Sequence, residues 1–326
     1  MSHLRWNPLL GTWTIVAANR QLRPDMPRDW CPFCPAFGKV PSDFDVLVYP
    51  NDFPVFSPEE ADLLPVISRE GPYKAARAYG SAEVLLYSPD HNARLYNLPE
   101  AHLLRLVQLW SERQTHYSRD EKIKYIYPFE SRGAEVGVTM PHPHGQLYAF
   151  PYVPLKIITE LEQSRAHFQA KGSNLFDDML AEESKGDRVL LETEHFLVFL
   201  PFFTDYPYGF FIVSKDPVIY ISELEHDAKK ELGDLLKKVL GTFDTLFDKV
   251  FPYMMCIHQS PVNSPEWGDT RKYYRFHIEF YPPLRSENAI KYYASSEMGA
   301  WAAANTMEVE QSILHLRDAL KRFESR

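Results

Sequence analysis

Long apolar runs are missing from this 326-residue chain. No stretch could span a bilayer, and Met1-Ser2-His3-Leu4-Arg5-Trp6 lacks the apolar core of a secretory signal. Cysteine is scarce: Cys31, Cys34 and Cys256 are all there are. An odd count without a signal argues against a disulfide scaffold and predicts a reducing, cytoplasmic setting. Positive charge is also short, 35 Lys and Arg against 44 Asp and Glu, a net −9. That balance argues against nucleic-acid or acidic-membrane partners, though not against a small basic pocket for one nucleotide. There is no low-complexity segment and no strict βαβ alternation, so a parallel α/β sheet is not expected.

What the chain does have is an ample core, 45% hydrophobic and 14% aromatic residues. It also has an internal echo. The first half reads as strands at Val46–Phe53 and Glu83–Ser88, a helix at Pro99–Gln114, then strands at Lys124–Tyr127 and through His142-Pro-His144-Gly-Gln146. The second half repeats the order: strands at Phe196–Pro201 and Gly209–Ser214, a helix at Asp227–Lys249, then strands at Tyr253–His258 and Arg275–Phe280. Leu103, Leu106, Val107 and Trp110 carry helical core spacing in one half, as Leu232, Leu235, Leu236, Val239 and Phe243 do in the other. Pro99 suits a first helical turn. Charged Glu160–Arg188 reads as a helical connector broken at Lys171-Gly172-Ser173, and a last helix is expected at Glu308–Phe323. The prediction is an α+β tandem duplication, residues 1–160 and 161–326, of antiparallel sheets with packed helices.

Two motifs carry chemistry. In Pro141-His142-Pro143-His144-Gly145-Gln146, residues two apart on an extended strand share a face, so one histidine could hold a metal while the other meets substrate. Neutral imidazole is a competent nucleophile near pH 7. Gly145 would let a phosphate approach the backbone, and Gln146 offers an amide to a phosphoryl oxygen. Standing alone, the two histidines would read as a proline-stiffened edge strand. Cys31-Pro-Phe-Cys34 is either a redox pair, half of a tetrahedral metal site, or two unliganded buried thiols. Pro24, Pro27, Pro32 and Pro35 disfavour the helix opening that redox use wants.

Glu130-Ser-Arg-Gly-Ala-Glu-Val-Gly-Val-Thr-Met140 leading into PHPHGQ resembles the galactose-1-phosphate uridylyltransferases, the nucleotidyl-transferring branch of the histidine-triad superfamily. The likeness runs from Asn19-Arg20 to about Glu297. It implies a two-step exchange of UMP between UDP-glucose and galactose 1-phosphate, giving UDP-galactose, through a uridylyl intermediate on His144. His144 would keep its second ring proton on the His142 carbonyl. The resemblance completes a Cys2His2 zinc site from Cys31, Cys34, His91 and His142. It suggests a second metal at Glu160, His258, His277 and Glu279, where Glu279 replaces the histidine of the best-known branch; iron and zinc suit that set equally, and the alternative is Glu279 as an ordinary salt-bridging carboxylate with no metal bound. Arg20, Arg23, Ser131 and Thr139 fall at phosphate-binding positions, and Asn51 and Asp52 at uridine-binding ones, although Asn-Asp after proline is also a common Asx turn. Ser131 stands where that branch has asparagine. Lys291, Tyr292 and Glu297 fall in its hexose segment, but Ser296 and Ala303 replace a tyrosine and a glutamine there, which would relax or redirect sugar choice. A homodimer is implied too. The other readings are a nucleotide phosphorylase of the same superfamily and a non-catalytic nucleotide- or zinc-binding module.

Overall fold

The computed structural model describes residues 2–22, 30–59 and 71–326. Its strands are β1 (His3–Asn7), β2 (Thr12–Val16), β3 (Leu47–Pro50), β4 (Ala75–Arg77), β5 (Ser81–Leu86), β6 (Tyr125–Arg132), β7 (His144–Phe150), β8 (Val189–Glu192), β9 (Phe196–Phe199), β10 (Phe211–Ser214), β11 (Tyr253–His258) and β12 (His277–Tyr281), with a short hairpin of β13 (Leu284–Ser286) and β14 (Ala289–Ile290). The helices are α1 (Glu100–Ser118), α2 (Leu155–Lys171), α3 (Leu175–Glu183), α4 (His226–Leu246), α5 (Ser295–Gly299) and α6 (Val309–Glu324).

The two halves form one sheet rather than two. Nine antiparallel strands run β3-β5-β7-β6-β11-β12-β10-β9-β8. Numbering the four repeated strands of each half in chain order, the sheet reads first-second-fourth-third, then third-fourth-second-first. The junction is the β6–β11 pair, with Arg132 opposite Tyr253 and Phe129 opposite Cys256. An antiparallel junction of equivalent strands relates the halves by a local twofold axis. It sets His144-x-Gln146-x-Tyr148 of β7 against His277-x-Glu279-x-Tyr281 of β12. The two histidines even repeat one hydrogen-bond pattern: each Nδ1 meets the carbonyl two residues back, that of His142 at 2.7 Å from His144 and that of Arg275 at 3.0 Å from His277. The duplication is thus α+β, as expected.

Alternation along the strands gives the sheet two faces. One is covered by α1, α4 and α6, which bury Leu103, Leu106, Val107, Trp110, Leu235, Val239 and Phe243 against Leu147, Ala149 and Ile278. The other packs Phe150, Leu197 and Phe199 against Ile157 and Leu161 of α2. Pro99 is the cap before α1 rather than part of its first turn; with no N–H to donate, it begins the helix without a lost bond. The connector is two helices, broken where Gly172 takes φ +75° and closes α2 with a bond to the Phe168 carbonyl. The three-stranded sheet β2-β1-β4 was not expected from the sequence.

Candidate active site and metal-ligand groups

β7 enters the sheet between β5 and β6, which fixes the direction of every side chain on it. His144, Gln146 and Tyr148 look away from α1, and His144 and Gln146 help line a hollow of about 360 Å³ with Arg20, Phe33, Lys39, Tyr49, Asn51, Asp52, Thr139 and Met140. A second hollow of about 280 Å³ adjoins His144 on its other side, lined by Glu130, Ser131, Arg132 and Arg94. His144 therefore lines both hollows.

The hydrogen bonds set the chemistry of that ring. Nδ1–H of His144 donates to the His142 carbonyl, so Nε2 carries the lone pair. The Tyr148 hydroxyl donates to Gln146 Oε1 at 3.3 Å and Arg20 Nη1 donates to the same hydroxyl at 3.4 Å. Gln146 is thereby turned with its NH2 group available as a donor.

The structure places six of the residues read from the sequence as follows. Gly145 does not open the backbone to a phosphate. A Cβ there would sit 2.0 Å from the Tyr87 hydroxyl and 3.0 Å from the Phe129 carbonyl, on the α1 side of the sheet. Glycine is required because Tyr87 fills the space. Asn51 spends its side-chain oxygen on an Asx turn to the Phe53 N–H, 2.9 Å away, while its residue still lines the larger hollow. Ser131 lines the smaller hollow, apart from Thr139 and Arg20. Lys291, Tyr292 and Glu297 line neither one: Lys291 is buried with Nζ against the rings of Tyr206 and Tyr293, and Glu297 accepts the Ala294 N–H at 3.2 Å. Arg23 lies outside the described residues.

On β6, beside β7, lies a residue the motif reading missed. Glu130 is buried, accepts the Tyr253 hydroxyl at 2.6 Å, and is pushed up to about 7 by burial. An acid inside the aromatic run Tyr125-Ile-Tyr-Pro-Phe-Glu130 was the available signal. Nearby, Asp244 of α4 accepts Arg94 at 2.9 Å and Arg132 at 2.7 Å, tying the smaller hollow's two cations to the helix layer.

Cys31, Cys34, His91 and His142 are brought together, with donor atoms all within 4.8 Å of one another. The CxxC segment turns tightly, Cys34 N–H bonding the Cys31 carbonyl. His91 is presented by a turn in which Asp90 Oδ1 accepts the Asn92 N–H. His142 Nε2–H donates to the Ser88 carbonyl at 2.8 Å, aiming Nδ1 at Cys34 Sγ. Burial pushes His142 down to about 4, keeping it neutral. Burial and the neighbouring Cys31 push Cys34 up to about 11, so its thiolate needs a cation beside it.

Glu160, His258, His277 and Glu279 also converge within 4.8 Å. His258 Nδ1 is 3.0 Å from Glu160 Oε2 and its Nε2 is 3.4 Å from Glu279 Oε2. His277 Nε2 is 3.5 Å from Glu279 Oε1. Glu160 Oε1 is buried without a hydrogen-bond partner among the described residues, the kind of oxygen a cation would satisfy. Both groups therefore suit metal binding.

Comparison with known proteins agrees along the whole chain. Residues 1–154 match the family model for the galactose-1-phosphate uridyl transferase N-terminal domain, and residues 160–322 that for its C-terminal domain. A galactose-1-phosphate uridylyltransferase of Thermotoga maritima is 37% identical over 320 residues, covering 98% of each chain. A solved uridylyltransferase structure superimposes with TM-score 0.89 at 27% identity, over 98% of this chain and 99% of that one. An ADP-glucose phosphorylase from Arabidopsis thaliana shares the fold at TM-score 0.74 and 24% identity, over 98% of each chain.

Proposed function

The chain belongs to the galactose-1-phosphate uridylyltransferase family, and from that premise we propose how its own residues carry out the transfer. The enzyme exchanges UMP between UDP-glucose and galactose 1-phosphate in two displacements. Nε2 of His144 attacks the α-phosphorus of UDP-glucose; the bond to glucose 1-phosphate breaks and that group leaves with the electron pair. Galactose 1-phosphate then attacks the uridylyl-imidazole through a phosphate oxygen, and the P–N bond breaks back to His144. Dividing the exchange replaces one three-body reaction with two similar steps. The observation that carries this reading is the bond from His144 Nδ1–H to the His142 carbonyl, which selects the attacking nitrogen and spreads the charge of the imidazolium that forms.

Gln146 donates to a non-bridging oxygen, and a sugar phosphate, with a second pKa near ~6, leaves without protonation, so a neutral amide suffices here. Arg20 and Thr139 meet phosphate in the larger hollow, Asn51 and Asp52 meet the uridine, and Ser131 contacts phosphate from the smaller one. Residues 1–160 form the lobe with the nucleophile and residues 161–326 the lobe with the hexose segment.

Zinc is the ion we assign to Cys31, Cys34, His91 and His142. A tetrahedral ion with Zn–S about 2.3 Å and Zn–N about 2.0–2.1 Å holds sulfur and nitrogen about 3.6 Å apart. Cys34 Sγ lies 3.3 Å from His91 Nδ1 and 3.6 Å from His142 Nδ1. With all four positions filled by protein, such an ion would be structural, and through His142 it would pin the start of β7 two residues before His144. Glu160, His258, His277 and Glu279 would hold a second ion, iron or zinc.

That the hexose segment lines neither hollow supports a homodimer in which Tyr292 and Glu297 reach the partner's site, with Lys291 buried beneath them. Phe202, Tyr292 and Trp301, at 74%, 69% and 62% exposure, offer apolar side chains to such an interface. Three free cysteines support a reducing, cytoplasmic location. Among the described residues, no helix is long and apolar enough to cross a membrane. Replacing His144 by Gly tests the assignment: transfer should be abolished with nucleotide binding retained, and unchanged turnover would sink the covalent route.

A further inference from the structure

The second metal-ligand group contains a charge problem. Two carboxylates, Glu160 and Glu279, share one site with two imidazoles, and Glu279 is only 3% exposed. Carboxylates so placed repel one another unless a cation stands between them. One does. Lys156 precedes Glu160 by one turn of α2, so both project from the same helix face. Its Nζ lies 2.5 Å from Glu279 Oε2 and 3.8 Å from Glu160 Oε1. The Tyr281 hydroxyl, two residues along β12 and on the same face as Glu279, meets both partners of that pair.

We propose that Lys156 is a built-in counter-cation of this group, offsetting the extra carboxylate that Glu279 brings, and that it competes with a divalent ion for the Glu279 oxygen. A set of one carboxylate and three neutral imidazoles carries one negative charge empty and one positive charge with a divalent ion. Two carboxylates and two imidazoles carry two negative charges and none. Adding one ammonium returns both states to the charges of the single-carboxylate set. The oxygen Lys156 takes, Oε2, is also the one facing His258 Nε2 at 3.4 Å. An ion seeking His258 and Glu279 together therefore meets an ammonium already in place. The site stays ordered without metal and takes one reluctantly. This rests on the reading of the group as a cation site and is independent of the covalent route at His144.

Cobalt(II) titration of the metal-stripped full chain tests it. Cobalt on thiolates shows an intense charge-transfer band, whereas cobalt on imidazole and carboxylate shows only weak visible bands, so the two sites are read separately. Wild type should fill the thiolate site and take a second ion weakly. Lys156→Met should bind the second ion at least tenfold more tightly and gain more thermal stability from it than wild type, while Lys156→Arg should behave as wild type. Should Lys156→Met fail to fold, Lys156→Met with Glu279→His restores the single-carboxylate charge; it should fold and bind the second ion at least tenfold more tightly than wild type. Second-site affinity unchanged or weakened in these variants overturns the proposal, as does the absence of a second ion in all of them.

Discussion

Adding one methyl group at Gly145 should cripple this enzyme from the α1 side of the strand. The Cβ of Gly145→Ala would lie 2.0 Å from the Tyr87 hydroxyl oxygen, 2.8 Å from its Cζ and 3.0 Å from the Phe129 carbonyl. Tyr87 cannot retreat easily: it is buried, its N–H bonds the Pro143 carbonyl, and its own carbonyl meets His102 at 2.6 Å. Overpacking of this kind costs about 1–3 kcal/mol. Relief comes from shifting β7, and a shift of about 1 Å at a nucleophile costs on the order of 10²-fold in rate. Tyr87→Phe removes the nearest atom but leaves the ring carbon. Alone it should stay within about 1 kcal/mol of wild type; combined with Gly145→Ala it should recover part of the lost stability, a coupling of about 1 kcal/mol in a double-mutant cycle. Urea midpoints and uridylyl-transfer rates for the four proteins make the measurement. Wild-type rates in Gly145→Ala, or stability losses that simply add, would refute the reasoning.

Other expectations follow from buried charge. Glu130 has a folded pKa raised from 4.5 to about 7 by burial, so the folded state holds its proton more tightly than the unfolded chain does. Its contribution is fully present below about 4.5, falls as pH rises and is gone above about 7, a change of about 3 kcal/mol that Glu130→Gln should remove. Equal pH slopes of stability in the two proteins would contradict this. Asp244→Ala strands Arg132 beside the smaller hollow and should cost about 3–5 kcal/mol by chemical denaturation. Cys34→Ser should lower zinc content by about one ion per chain, by elemental analysis, and lower the melting temperature with it.

What the sequence disclosed was mostly local. Helical spacing at Leu103, Leu106, Val107 and Trp110 placed α1, and the same spacing placed α4, because a core-facing stripe is written within one element. The HPHGQ strand and the CxxC turn were visible because each packs its chemistry into a few consecutive residues. The β1–β2 hairpin escaped notice although Trp6 faces Trp13 across it at 5.1 Å between ring centroids; its strands are short and half-exposed, with weak alternation. Tyr87 behind Gly145 and Lys156 on Glu279 were illegible for a different reason. Their partners lie far along the chain, and only the order of strands in the shared sheet brings them together. The spacing of Lys156 and Glu160 was in the sequence, but it meant an ordinary helix pair until Glu279 came beside it.

The central claim is that His144 carries the uridylyl group between two phosphates. Intact mass of the protein mixed with UDP-glucose and no acceptor tests it most directly. The account predicts a gain of one uridylyl group per chain, lost on adding galactose 1-phosphate and absent from His144→Gly. No gain in zinc-replete wild-type enzyme, or the same gain in His144→Gly, would contradict it.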